Sequence, residues 1–429
     1  MWLFIEPLDI LLFRESKPFA AGEGFWARSV FPPSGLPLMG ALRAKIIVDS
    51  GTSFKDYQFF DDEKNGDNSH LAELVRLIGK FDDYGELQLQ GPFISQIENN
   101  EQNTYFPAPL DIIKSENSNT ISNLVSQNFP WGLEISKTLP TDGINNLYSP
   151  IPLWTNDSGD LPENKFVKTI GLLNYLQGAT NSETTDAEDL WGNERQVGIE
   201  KSLQGTAEKS KIYSVEFTRL KENEKDTWKL LNTGLLVYFK DVPEQYFKSD
   251  GFLALGGESR AAKYQIVDET QIDKFKMLIE GDFLNDSTRG IKGKKQFKLY
   301  LSTPAIFNNG WYPDFLELEN TELISKKDGL EFKLVSASIA KSKIISGWNV
   351  AERKPRAAVK SVPAGSVYYF ELTNGEVFDE EKINILRKNF HFKNLNEKDY
   401  KSGCLTKKEL TRYGKAGFGL ALIGKVKEA

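Results

Sequence analysis

The sequence predicts an α+β fold of two ferredoxin-like units, RRM-like βαββαβ arrangements carrying insertions, on three observations. A chain of 429 residues is too long for one ordinary core, so two domains are expected. An apolar, aromatic strand near the N-terminus runs almost directly into a helix. Toward the C-terminus the order is strand, turn, strand, helix and final strand. The expected division is 1–230 and 231–429, the first unit holding most insertions and the second ending in a glycine-rich loop.

The first strand is read from residues 2–13, where Trp2, Leu3, Phe4, Ile5, Ile10, Leu11, Leu12 and Phe13 cluster. Pro7 predicts an edge position or a bulge, because proline cannot donate to a ladder. Ser34 is a candidate N-cap, and Leu36, Leu38, Met39, Leu42, Ile46 and Ile47 recur at roughly helical spacing up to Gly51. A short amphipathic helix is expected from His70 to Lys80, a strand entry at Gly91-Pro92-Phe93-Ile94 and an extended segment at Tyr105–Pro109. Residues 114–147 are rich in Ser and Asn and read as an insertion or loop. Tyr213, Val215 and Phe217 alternate, as a half-buried strand does. Strands are also expected at Leu231–Phe239, from Phe252 into the Gly256-Gly257 turn, from Phe297, and at Phe332–Val335. The last helix is placed at Glu380–Asn389.

Composition narrows the function classes. Net charge is −7 and the pI about 5.3, which argues against a protein gripping nucleic acid through a global positive field. A local basic groove stays open: residues 401–427 carry seven Lys or Arg against one Glu, and 341–360 carry six against one. No run approaches the ~20 apolar residues a membrane span needs. The first residues lack the basic leader of a secretory signal. The single cysteine, Cys404, excludes an internal disulfide, and a cytoplasmic location is expected.

The densest motif is Arg412-Tyr-Gly-Lys-Ala-Gly-Phe-Gly-Leu-Ala-Leu-Ile-Gly-Lys425. Glycines let backbone N–H groups approach a partner unobstructed, and successive N–H groups can form a nest for an anion. Gly419–Val426 misses a P-loop: Val426 stands where Ser or Thr belongs, and the three residues after it leave no room for a helix. A dinucleotide fingerprint fails because Leu422 replaces its third glycine. Two readings remain, a close-approach loop against RNA and a tight turn feeding a strand from Leu420 to Val426.

Several blocks together resemble one family. Ile5-Glu6-Pro7-Leu8-Asp9, Phe13-Arg14, Pro18-Phe19, Gly22-Glu23, Ala27-Arg28-Ser29, Phe31-Pro32-Pro33 and Gly40-Ala41-Leu42-Arg43 look like the N-terminal signature of the third subunit of the Cmr complex. That complex is the type III-B CRISPR RNA-guided effector, and the subunit belongs to the RAMP superfamily. Glu194–Glu200 with Ile212–Leu220, Phe252–Arg260, Ile345–Arg356 and Pro363–Phe370 look like further family motifs in the right order. The resemblance implies a RAMP-type fold and a non-catalytic subunit that grips the 5′ tag of the CRISPR RNA. It implies docking beside the large polymerase-like subunit and the first backbone RAMP subunit. The segment before the Tyr213 strand would be a loop near RNA, with a solvated hairpin as the competing reading. Gly414, Gly417, Gly419 and Gly424 would form the close-approach loop with Lys415. Arg28, Arg43, Arg195, Lys201 and Arg260 become candidate phosphate contacts. For Arg260 an ion pair with Glu258 is the competing reading. Trp348 with the basic run at Arg353 reads as a base-stacking and phosphate patch, against a buried Trp with solvated neighbours.

Catalytic chemistry is thin. A metal-free ribonuclease usually needs a histidine acid or base, and there are two histidines, His70 and His391, which nothing in the sequence pairs. No zinc spacing is present, Asp61-Asp62-Glu63 lacks a glycine-shaped loop, and Cys404 has no nearby histidine. No cofactor or metal is expected. The rival readings are a metal-independent endoribonuclease that makes the guide RNA, since RAMP-fold relatives include such enzymes, and a protein-only scaffold.

Overall fold

The computed structural model describes residues 1–15, 26–60, 70–80, 83–98, 101–115, 121–123, 125–126, 153–154, 159–160, 162–179, 183–201, 207–221, 232–240, 242, 244–319, 322–349, 354–395 and 406–426. The chain is α+β, organised by two large sheets. In the first half the elements are β1 (Trp2–Pro7), β2 (Trp26–Arg28), α1 (Gly35–Asp49), α2 (Phe54–Gln58), α3 (His70–Ile78), β3 (Gln88–Glu98), β4 (Glu101–Pro107), β5 (Lys165–Lys168), α4 (Thr169–Leu176), β6 (Thr184–Asp186), β7 (Trp191–Lys201) and β8 (Ala207–Leu220). Then come β9 (Asn232–Lys240), β10 (Asp250–Leu255), β11 (Arg260–Ile266) and α5 (Asp273–Glu280). The remainder holds β12 (Gln296–Leu301), β13 (Glu317–Glu319), β14 (Glu322–Lys327), β15 (Leu330–Ser338), β16 (Lys343–Ile345), β17 (Trp348–Asn349), β18 (Lys354–Pro355), β19 (Val359–Ser361), β20 (Val367–Leu372), α6 (Glu380–Phe390), β21 (Lys393–Asn394), α7 (Lys407–Lys415) and β22 (Leu420–Lys425).

The first sheet has eight strands in the order β6-β5-β4-β3-β9-β1-β11-β10, with antiparallel neighbours throughout. Side chains alternate across it. Leu3 and Ile5 face α1 and α3, while Trp2 and Phe4 face a middle layer holding α4 and α5. Both faces are covered, which explains the unbroken apolar run at 2–5. β1 is therefore interior, not an edge. Pro7 ends it, where the missing N–H costs no ladder bond beyond the strand. The run at 10–13 leaves the sheet and makes an isolated bridge, Leu11 to Thr218.

The second sheet has seven strands, ordered β13-β14-β15-β20-β12-β22-β21. Tyr300, Val367, Tyr369, Leu420 and Leu422 face the middle layer shared with the first sheet. Phe297, Phe332 and Phe370 face α6 through Ile383, Leu386 and Phe390. Strands β9 to β11 hydrogen-bond into the first sheet, so residues 232–266 lie with the N-terminal half, whereas the 230/231 division places them with the second. Among the described residues no helix is long and apolar enough to cross a membrane.

Candidate nucleic-acid interface

A third, three-stranded sheet stands apart, ordered β7-β8-β2. β7 and β8 form a long antiparallel hairpin from Trp191↔Leu220 to Lys201↔Ala207, and β2 adds in parallel to β8. Residues 195–201 and 207–211 are thus paired strand, as the hairpin reading expected, rather than loop. Ala27, Val215 and Phe217 pack against Ile10 and Leu12 on one face. Alternation sends Trp26, Arg28, Arg195 and Val197 to the opposite face. There Trp26 is 47% exposed and Val197 64%.

On that outer face the Arg28 guanidinium lies 3.8 Å from the Trp26 ring centroid and the Arg195 guanidinium 5.9 Å. Arg195 is fixed by Nε donating to Ser214 Oγ at 2.6 Å. Among the described residues neither arginine has an acidic partner within 4.0 Å. Arg219, by contrast, is committed to Asp9 at 2.9 Å and Glu194 at 2.8 Å. The result is an outer face on which an exposed indole carries two guanidinium groups, with Glu216 in register between Arg28 and Arg195 but more than 4.0 Å from either and accepting from Asn193 Nδ2 at 3.0 Å. It can stack an unpaired base and meet a phosphate together. Sequence reading found Arg28 and Arg195 separately and missed Trp26. The available signal was an exposed-type pattern, Trp and Arg flanking a small apolar Ala27.

The remaining candidates lie elsewhere. Arg43, on α1, donates to Tyr57 Oη at 3.2 Å and to the carbonyls of Gly79 (3.2 Å) and Lys80 (2.6 Å). It ties together the segment just beyond α3, where carbonyls lack helical partners, and it is not a free phosphate contact. Arg260 pairs with Glu258 at 2.7 Å and lies 4.9 Å from the Phe217 ring, so the ion-pair reading holds. Lys201 ends β7, and nothing is described of its side chain. Trp348 is exposed, at 58%. Arg353 lies outside the described residues.

The glycine stretch is the main correction. Gly414 is inside α7, a helix the sequence reading missed although Thr406 and Glu409 form a full capping box. The Gly414 carbonyl accepts from Asn394 Nδ2 at 2.6 Å. Lys415 Nζ is held by the Gly85 carbonyl and by Asp83 at 3.3 Å. Gly417 and Gly419 have φ of +89° and +72° and are buried. A Cβ on Gly417 would strike the Gly91 carbonyl, and the Gly419 N–H donates to the Pro304 carbonyl at 2.8 Å. Gly424 packs on Leu176 of α4. The close approach these glycines permit is to the protein's own backbone, so the loop presents no cradle to RNA.

His70 is exposed at the start of α3. His391 is buried: Nδ1 accepts from the Ile423 N–H at 3.1 Å, so the ring proton resides on Nε2, 2.8 Å from the Leu278 carbonyl. Burial lowers its pKa to about 4.

The family model described as CRISPR-associated protein (Cas_Cmr3) matches residues 3–426. No curated protein matches the chain. Two solved structures are similar to it. One, solved as the type III-B Cmr-beta bound to cognate target RNA and AMPPnP in state 1, contains a chain 14% identical, with 86% of each chain covered and a TM-score of 0.42. The other, of Cmr-beta bound to cognate target RNA, contains a chain 15% identical, with 90% of this chain and 93% of that chain covered and a TM-score of 0.41.

Proposed function

The chain belongs to the Cmr3 family of CRISPR-associated proteins, subunits of the type III-B effector, and from that premise we propose that it is a non-catalytic subunit gripping the 5′ tag of the CRISPR RNA. The observation that carries the RNA reading is the Trp26–Arg28–Arg195 platform. It supplies aromatic stacking and cations outside any ion pair, the groups that single-stranded RNA binding uses, on a protein whose net charge is −7. In this reading it docks beside the large polymerase-like subunit and the first backbone RAMP subunit, inside the cell. Target RNA is cut by other subunits.

We also read each large sheet as a ferredoxin-like unit. Along β11-β1-β9-β3 and along β22-β12-β20-β15, the strands follow the order fourth, first, third, second of a βαββαβ fold. α1 serves as the helix of the first unit and α6 as the helix of the second. The boundary then falls between Ile266 and Gln296. The rival endoribonuclease reading has little to use in His391, whose two ring nitrogens are both engaged within the protein.

The test is binding of the guide RNA purified with the complex, compared with the same RNA stripped of its repeat-derived 5′ end. Wild-type chain should prefer the intact RNA. Trp26→Ala should weaken binding by roughly tenfold, the scale of one base–aromatic stack, and Arg28→Ala with Arg195→Ala should flatten the salt dependence. Equal affinity for both RNAs, or no response to these substitutions, refutes the tag-gripping role.

A further inference from the structure

A polar cavity of about 300 Å³ lies in the C-terminal half, formed by the turn at residues 308–314 and the start of β13. Its walls include Asn308, Asn309, Tyr312, Asp314, Glu317 and Leu318. The turn is firmly held. The Gly310 N–H donates to the Phe307 carbonyl at 3.2 Å, and Tyr368 Oη of β20 to the Trp311 carbonyl at 2.5 Å. The Phe315 ring packs with its centroid 4.8 Å from that of Phe390 of α6. Asn309, Glu317 and Leu318 are exposed, so the cavity opens to solvent. Its volume is at the small end for ligand sites and suits one long side chain.

Two side chains in its wall are short of the partners that burial demands. Asn308 Oδ1 and Nδ2 are both buried and, among the described residues, have no hydrogen-bond partner. The Asp314 carboxylate accepts from the Asn308 N–H at 2.8 Å, the Asn309 N–H at 3.4 Å and Asn309 Nδ2 at 3.5 Å, all on Oδ1. Among the described residues no donor meets its Oδ2 and no cation lies within 4.0 Å. Burial pushes its pKa up to about 6. The local charge has one sign: between Leu299 and Glu319 the chain has no lysine or arginine, and its acids are Asp314, Glu317 and Glu319. Glu319 is paired with Lys326 at 2.7 Å. A phosphate would be repelled here. A metal ion would ask for more oxygens than one half-buried carboxylate and one amide provide. A guanidinium fits, because its fork donates to Asp314 Oδ2 and Asn308 Oδ1 at once. The Tyr312 ring borders the same space and offers a face to a cation. Leu318, 52% exposed, can cover an arginine's methylene stem. The Asn308 Nδ2 donor is left for a main-chain carbonyl, which an arginine within a polypeptide also brings.

We infer that this cavity is a socket for an arginine side chain of a protein partner, whose guanidinium bridges Asp314 and Asn308. The inference rests on the reading of the chain as a subunit docked to other proteins, and it is independent of the Trp26 face.

The experiment treats the complex purified with the full-length chain with phenylglyoxal, which modifies accessible guanidinium groups, and locates the modified arginines by mass spectrometry. In the wild-type complex an arginine of a co-purifying protein should be protected. Asp314→Asn keeps an acceptor for the N–H groups of the turn and removes the charge. In that variant the same arginine should react several-fold faster. Its protein should also dissociate roughly 30-fold faster on dilution, the lower range for breaking a buried charge pair. Leu318→Lys sets a competing cation at the exposed mouth and should act in the same direction. It keeps the test informative if Asp314→Asn misfolds; thermal melts establish folding. The socket is overturned if no partner arginine changes reactivity in a folded variant, or if the arginine that responds belongs to this chain. Loss of RNA with the partner proteins and their arginines unaffected overturns it as well, in favour of an RNA contact. If the wild-type chain brings down no protein, the docking reading falls too; if it does and no partner arginine responds, only the socket falls.

Discussion

His391 illustrates how one buried side chain makes stability depend on pH. Its neutral ring bridges the Ile423 N–H and the Leu278 carbonyl, and burial holds its pKa at about 4 instead of 6.5. The unfolded chain therefore takes up the proton first as pH falls. The stability associated with the neutral ring is complete above pH 6.5 and is lost as pH drops through about 4. The difference corresponds to roughly 3 kcal/mol. In urea melts at pH 7.5 and pH 4.5, the wild-type loss should exceed that of His391→Gln by roughly 2–3 kcal/mol. Equal losses would mean that the ring is solvated. No change in RNA affinity is expected from the same variant, whose ring faces only protein.

At the scale of elements, the glycine turn after α7 is a packing device. Gly417 sits at φ +89° against the Gly91 carbonyl of β3, and its own carbonyl accepts from Thr303 Oγ1 at 2.7 Å. Gly417→Ala meets both a disfavoured backbone conformation and a clash. A loss of about 2 kcal/mol or more is expected in thermal melts. Fold and affinity would both survive if the turn were an open loop. The sequence could not distinguish these cases, because a positive-φ glycine has the same signature whether RNA or a carbonyl of its own chain lies opposite. The strands and helices were more legible. Alternation and helical spacing located α1, β8, β9, β12, α6 and β22 within a few residues, and the start of β1, whose end was read six residues too late. α7 was obscured by Gly414 near its end and the glycines that follow it, although its capping box was readable. Arg28 and Arg195 were each visible as charges. Their meeting over Trp26 was not, because it depends on β2 joining a hairpin far along the chain.

On the scale of the whole molecule, the two sheets are joined by a buried polar cluster as well as by apolar packing. The Asp111 carboxylate, fully buried beyond the end of β4, accepts from Tyr175 Oη of α4 at 2.7 Å and from Tyr369 Oη of β20 at 2.5 Å. Lys298 of β12 lies with Nζ 3.2 Å from the Tyr175 ring centroid, its pKa lowered by burial to about 8 against the opposing pull of Asp111. Tyr300 Oη reaches the Pro107 carbonyl at 2.6 Å. Removing one donor to a buried carboxylate leaves it under-solvated. Tyr369→Phe should therefore cost about 1.5–3 kcal/mol in urea melts, with a single cooperative transition retained. A near-zero cost would mean that water replaces the hydroxyl.

α7 and the turn after it supply Leu410, Tyr413, Ala416 and Phe418 to the core that also holds Leu3, Ile5, Leu36 and Leu42. A backbone contact at Gly35, where a Cβ would strike the Ala416 carbonyl, closes that core from the C-terminal side. The ribosome delivers the two sides in the opposite order to the one this packing needs. At about 5–20 residues per second, the N-terminal sheet and α1 wait tens of seconds for residues 410–418 to emerge. During synthesis α1 and α3 can cover part of that apolar face, and the part that Leu410, Tyr413, Ala416 and Phe418 cover stays open, so nascent chains are expected to be held by chaperones until translation passes α7.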